Sequence, residues 1–181
     1  DVVVPSDFIV PALIQRKLIQ PLRHENIPNL KNVAERFQNP PYDPGNRYTV
    51  PYQWGTVGIY IRAQPDEAIE ETWGLIFDPA KQPGPFLLMD SMRDTMCGAL
   101  KYLGFSANST DPGELKAARD VLIETKRRSL GFEGGVGGKN KVLARACRLA
   151  MVYNGDAIRG TKEDAGTRYF IPKEGGQIWV D

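Results

Sequence analysis

Three continuous apolar runs punctuate the chain: Val2-Val3-Val4, Phe86-Leu87-Leu88-Met89 and Leu149 to Tyr153. Short runs without polar alternation predict strands covered on both faces, as in a sheet with helices on each side. Each run leads into a helix signal. Ser6 stands as an N-cap ahead of Phe8, Ile9, Leu13 and Ile14, and Pro11 predicts a bend or a short helix because it has no N–H to donate. Ser91 opens a helix to about Leu103, with Met92, Met96, Ala99, Leu100 and Leu103 inward. After Tyr153-Asn154-Gly155-Asp156 a helical turn takes Ala157 and Ile158.

Asp111-Pro112-Gly113-Glu114 begins the best helix, running to about Arg128 with Leu115, Ala118, Val121, Leu122 and Thr125 on one face. Its basic end, Lys126-Arg127-Arg128, predicts solvated charges at the negative pole of the helix. Gly134-Gly135-Val136-Gly137-Gly138-Lys139 fails as a phosphate loop, having Glu133 where the first Gly belongs and Asn140 where Ser or Thr belongs. It predicts a flexible connector into a helix over Asn140 to Arg148. Pro21 to Asn46 is loop with one helical patch around Val33, Ala34 and Phe37. Tyr48 to Tyr52 is extended, and Thr56 to Ile61 alternates Val57, Ile59 and Ile61 against small or polar neighbours. At the far end, Arg168 to Ile171 and Gln177 to Val180 are short strands flanking a Pro-Lys-Glu-Gly-Gly turn. The order of elements predicts an α/β fold.

Composition narrows the function. The 181 residues are 41% hydrophobic and 25% charged, which excludes a disordered chain. A net charge of +1 gives no overall attraction to nucleic acid or an anionic membrane surface. No apolar run approaches a membrane span, and the first residues show neither a basic nor an apolar leader region. Cys97 and Cys147 read as two buried free thiols, with a bridge open to them in an oxidising compartment. His24 is the one histidine and has no Cys beside it, so the common zinc patterns are missing, and no other metal or cofactor motif is present.

Candidate chemistry gathers at strand ends. Asp94, Tyr153 with Asp156, and Trp179 with Asp181 each fall at or just past the carboxyl end of a predicted strand. In a doubly wound sheet those ends share one edge, where ligands bind. Gln177, Trp179 and Asp181 point to one side of their strand, placing an indole beside a carboxylate. Such a pair suits an ammonium group. Local explanations stand beside this one: Ser91-Met92-Arg93-Asp94 matches a capping box, and Trp179 and Asp181 also fit a core ring and a strand end. Nothing pairs a nucleophile with a base at a recognisable spacing.

Asp1-Val-Val-Val-Pro-Ser6, Asn29-Leu-Lys-Asn32, Asp43-Pro-Gly-Asn-Arg-Tyr48, Val50-Pro-Tyr-Gln-Trp-Gly-Thr56, Leu103-Gly104 with Asn108-Ser-Thr-Asp-Pro112, and Pro172-Lys-Glu-Gly-Gly-Gln-Ile-Trp-Val-Asp181 resemble the spermidine/putrescine-binding proteins of bacterial ABC importers. The resemblance covers essentially the whole chain. It implies a two-lobed periplasmic-binding-protein fold of type II, periplasmic or lipid-anchored, that captures a polyamine and presents it to a membrane permease. It implies no enzyme, cofactor or metal. The chain then corresponds to a central piece: 1–60 as the end of lobe one and the first crossing, 61–178 as lobe two, and 179–181 as the return crossing. A signal peptide is not in the chain. Carried over residue by residue, the ligand set is Ser6, Phe8, Asp94, Tyr153, Asp156, Trp179 and Asp181. The chain has Asp94 for the usual Glu, Ser91 where spermidine-type members have Asp, Phe8 for Tyr and Tyr153 for Trp. These departures keep a cation cage and leave the choice of polyamine open. A receptor of this fold for an amino-phosphonate or a metal-bound anion is the alternative, and a carboxylate-based enzyme the remote one. As a central piece, residues 61–178 should fold alone and 1–58 should be under-supported. Isothermal titration of this chain with spermidine and putrescine is expected to show weak binding or none; submicromolar affinity overturns that expectation.

Overall fold

A computed structural model describes residues 1–64 and 66–181. It divides into two compact units, Asp1–Gly55 with Trp179–Asp181, and Thr56–Ile178.

The second unit is built on β1 (Trp54–Arg62, entering from the first unit), β2 (Phe86–Met89), β3 (Phe132–Glu133), β4 (Leu149–Tyr153) and β5 (Thr167–Phe170), in the order β3-β2-β4-β1-β5. β2 runs parallel to both β3 and β4, whereas β1 is antiparallel to β4 and β5. The sheet is therefore mixed rather than wholly parallel. The helices are α2 (Gly74–Phe77), α3 (Met92–Tyr102), α4 (Pro112–Arg128), α5 (Gly135–Leu143) and α6 (Asn154–Glu163). Alternation along β4 divides them between two faces. Ala150 and Val152 join Tyr60, Leu87, Val142 of α5 and Ala157 of α6 in one core cluster. Met151 points the other way and meets α3 where Gly98 also faces Trp73 and Phe77. Because both faces are covered, β1 is buried almost throughout, not only at its alternate positions.

The apolar runs at β2 and β4 form buried strands as their pattern predicts. Val2-Val3-Val4 does not: no strand forms there, and the three side chains are 93%, 63% and 63% exposed. A run of valines becomes a strand only where a neighbour takes its backbone hydrogen bonds, and none does so among the described residues. The glycine-rich stretch also departs from expectation, being α5 itself rather than a connector into a later helix. Its glycines admit close neighbours. A Cβ at Gly138 would sit 3.2 Å from Val152 Cγ1 and 3.3 Å from Ala150 Cβ. Arg145, at φ 61°, takes the left-handed position that ends this helix. Met92, expected inward, is exposed at the first position of α3, while Cys97, Gly98 and Ala99 are buried in its place. Arg128 is half-buried rather than wholly solvated: its guanidinium donates to Phe77 O at 3.1 Å and lies over the Phe86 ring. Cys97 and Cys147 are free and buried, and burial pushes each thiol up to about 11.

The first unit has little regular structure. One six-residue helix, α1 (Val10–Gln15), follows a short 3-10 turn, and Pro11 occupies its first turn. Further 3-10 turns replace the helical patch expected near Val33 and Phe37. Polar ties hold these loops. Asp43, 1% exposed, accepts the backbone N–H groups of Arg47, Tyr48 and Thr49 and the Thr49 hydroxyl. Asn46 accepts from Asn39 N–H, and its carbonyl bonds His24 Nε2 at 2.8 Å. β6 (Ile178–Val180) brings the chain back to this unit, and just beyond it Asp181 exchanges backbone hydrogen bonds with Tyr52 and Gln53. A cavity of 440 Å³ lies among Val2, Val4, Val10, Leu13, Leu22 and their neighbours.

At the β1–β5 contact a Cβ on Gly58 would land on the Phe170 carbonyl oxygen and lie 2.7 Å from the Tyr169 hydroxyl. Gly58→Ala is expected to lower stability by about 1–3 kcal/mol, since backbone stands on the other side of the contact. Urea unfolding monitored by tryptophan fluorescence checks this, and an unchanged midpoint refutes it.

Candidate functional site

Two groups of the expected ligand residues form, one in each unit.

In the second unit the register places Tyr153, at the end of β4, opposite Val57 of β1. α3 begins just past β2, at the same edge. Ser91 caps α3 by accepting the Asp94 N–H at 3.4 Å. The reciprocal half of the capping box is absent. Instead, the Asp94 carboxylate accepts from Tyr153 Oη at 2.8 Å and from Gln177 Nε2. Asp94 is 6% exposed, both donors are neutral, and none of the ion pairs among the described residues includes it. A nearly dry carboxylate with neutral donors only is a setting in which a cation is strongly attracted.

Asp156 is held differently. It is 8% exposed in the first turn of α6 and pairs with Arg159. α5 crowds it as well, for a Cβ at Gly135 would come within 2.8 Å of the Tyr153 ring and touch the Asp156 carboxylate. Gly135 thus lets α5 approach both expected ligand residues. Asp90, exposed directly after β2, adds a further acid at this edge.

In the first unit, Ser6 makes no helix cap. Its hydroxyl donates to Asp181 Oδ1 at 2.7 Å, and Gln53 Nε2 donates to Oδ2 at 3.3 Å. This is a second carboxylate held by neutral donors. Trp179, two residues before it in β6, is half-buried, and Phe8 is 52% exposed. Ser6 and Asp181, 175 positions apart, are thus brought into direct contact.

Sequence reasoning passed over two residues. Gln177 had a signal, since it shares strand alternation with Trp179 and Asp181, but its partner lies 83 positions away. Gln53 had none beyond its place next to Trp54. The segment ahead of β6 is clamped independently: Trp73 Nε1 donates to Gly175 O at 2.8 Å, Thr72 Oγ1 donates to Glu174, and Lys173 N–H donates to Glu71 O. That clamp fixes where Gln177 points.

No protein-family model matches the chain. Among characterised proteins, the spermidine/putrescine-binding periplasmic protein of Escherichia coli is 32% identical over the whole chain. The solved structure of a Listeria monocytogenes protein assigned to spermidine/putrescine ABC transport superposes with a TM-score of 0.87 at 34% identity, covering 98% of this chain and 55% of that one. That of the spermidine/putrescine substrate-binding protein PotD from Streptococcus pneumoniae gives 0.79 at 27%, covering 98% and 54%. The chain is related throughout its length to the polyamine-binding periplasmic proteins. It spans about half the length of the curated relatives it matches, 52% of the Escherichia coli protein. The fold is the mixed α/β fold of these proteins, and the relatives are named as binding proteins of ABC transport.

Tyr153→Phe removes one of two donors from a buried carboxylate and is expected to cost about 1–3 kcal/mol of stability. Asp94→Asn in the same background should recover part of that loss. Denaturant melts of the two single variants and the double variant check the coupling; purely additive losses rule it out.

Proposed function

We propose that the protein serves as polyamine-holding structure of a solute receptor outside the cytoplasm, feeding an ABC importer. The observation that supports this most is Asp94: a carboxylate almost out of water, oriented by Tyr153 and Gln177, and in no ion pair among the described residues. Such a group binds an ammonium with charge-assisted hydrogen bonds, and the Tyr153 ring beside it offers a face to a methylene chain. Asp181, oriented by Ser6 and Gln53, provides the same chemistry in the first unit, where Trp179 stands two positions before Asp181 and Phe8 two positions after Ser6.

The relatives' names agree in substrate class, covering spermidine and putrescine, putrescine alone, putrescine with cadaverine, and putrescine with agmatine. All carry at least one cationic end on an alkyl chain. Asp156 has a lesser part in this scheme, because Arg159 already offsets its charge. The permease of the importer is the partner, and the periplasmic relatives support a place outside the cytoplasm.

Because the chain spans about half of such relatives, binding is measured on the complete receptor. Asp94→Asn and Asp181→Asn are each expected to weaken putrescine binding by roughly tenfold to a hundredfold, the worth of one charge-assisted hydrogen bond. Asp156→Asn should weaken it less. Calorimetric titration decides, and unchanged affinity in both Asp94→Asn and Asp181→Asn sinks the proposal.

A further inference from the structure

The edge of the second unit's sheet away from Tyr153 has the opposite charge. Arg62 ends β1, Arg148 directly precedes β4, and Arg145 lies in the turn between α5 and β4. These three arginines, with Glu67 and Asp164, line a cavity of 770 Å³. Arg168, in β5, is next to Arg62's partner in the register.

The two carboxylates do not balance the arginines. Arg62 Nη2 bonds Asp164 at 2.8 Å, and Arg148 pairs with Glu67. Arg62 is further occupied as a cap for α5, donating to Val142 O at 3.4 Å and Leu143 O at 3.2 Å. Arg145 makes no ion pair among the described residues. Arg148 Nε and Arg168 Nε and Nη2 are buried and have no hydrogen-bond acceptor among the described residues. Among the lining residues, three guanidiniums against two acids leave an excess of one positive charge (3 − 2). Buried donors without acceptors are rare in folded proteins because each forfeits its hydration. Structural roles account for Arg62 and for part of Arg148, which pairs with Glu67 and donates to Pro83 O at 3.3 Å, but not for Arg148 Nε or for Arg145.

We propose that this cavity is a second binding site, for a small oxyanion of the phosphate or carboxylate class. A guanidinium presents parallel N–H groups that match two oxygens of such an anion. Arg145 supplies the free charge at the mouth, and Arg148 the inner donor. The site lies within the second unit and shares no residue with the Asp94 group, so an anion here and a cation there do not compete for the same side chains.

The test is a ¹H–¹⁵N NMR titration of the chain with sodium phosphate and, separately, sodium citrate, at ionic strength held constant with sodium chloride. Saturable shifts are expected at the backbone amides of Arg145, Arg148 and Gly166, without shifts at Tyr153. Saturation by citrate alone assigns a carboxylate, and by phosphate alone a phosphate. Arg145→Gly keeps the left-handed turn while deleting the charge, and should weaken binding about tenfold. Glu67→Gln frees Arg148 and should strengthen it. No saturation by either anion up to about 20 mM, a limit of only a few kcal/mol of affinity, overturns the proposal. So does saturation that neither variant alters.

Discussion

A carboxylate taken out of water has to be compensated, and how it is compensated decides what it can still do. Asp94 is compensated by two neutral donors drawn from the end of β4 and from the segment ahead of β6, while its own backbone N–H is taken by the Ser91 cap. That single side chain therefore ties together three stretches far apart in sequence. It fixes the start of α3, the rotamer of Tyr153 and the course of residues 174–177, the last with help from the Trp73 and Thr72 clamp. Asp156, a few residues beyond Tyr153, takes the other route and pairs with Arg159. The contrast between the two acids is more informative than their shared charge. An ion pair satisfies a carboxylate, whereas hydroxyl and amide donors orient it and leave the charge in place.

Packing makes that arrangement possible. The Asp94–Tyr153 contact requires α3 and β4 to end at one edge, which follows from β2 and β4 being parallel neighbours with α3 leaving directly from β2. α5 has to come close on the other face, and its glycines allow this: at Gly135 and Gly138 the nearest atoms belong to Asp156, Tyr153, Val152 and Ala150. Glycine weakens a helix by roughly 1 kcal/mol relative to alanine. Here the close approach to the sheet offsets the loss, and Lys139, buried within the same helix, is anchored by Glu163.

What the sequence made legible was what depends on nearest neighbours. The runs at Phe86 and Leu149 are buried strands, Asp111 caps α4 through Gly113 and Glu114, and Pro11 stands in the first turn of a short α1. What it hid depends on distant partners. The valines at 2–4 have the same pattern as β2, yet a strand is a property of two segments, and among the described residues no second one pairs with them. The α5 glycines read as a flexible loop because intrinsic propensity knows nothing of Val152 and Ala150 opposite. Arg128 read as solvated because Phe77 and Gln82, its partners, are about fifty positions earlier. Ser91 to Asp94 matched a complete capping box locally, and the half that fails does so because Tyr153 and Gln177 offer better donors to the same oxygens.

Net charge was the least informative quantity of all. A value of +1 argues against electrostatic partners only when charge is evenly spread. In the second unit it is unevenly placed: Asp90, Asp94 and Asp156 lie at one edge of the sheet, with Arg159 on Asp156, and Arg62, Arg145, Arg148 and Arg168 at the other, where Glu67 and Asp164 offset only part of their charge. β4 separates the two edges by five residues. At ~3.3 Å per residue that is about 16 Å, twice the screening length of ~8 Å at physiological salt. Across that distance the edges barely feel one another through solvent, so each acts on its own surroundings as a charged surface. A nearly neutral chain can thus attract cations at one end of a sheet and anions at the other, and only the placement of the residues reveals it.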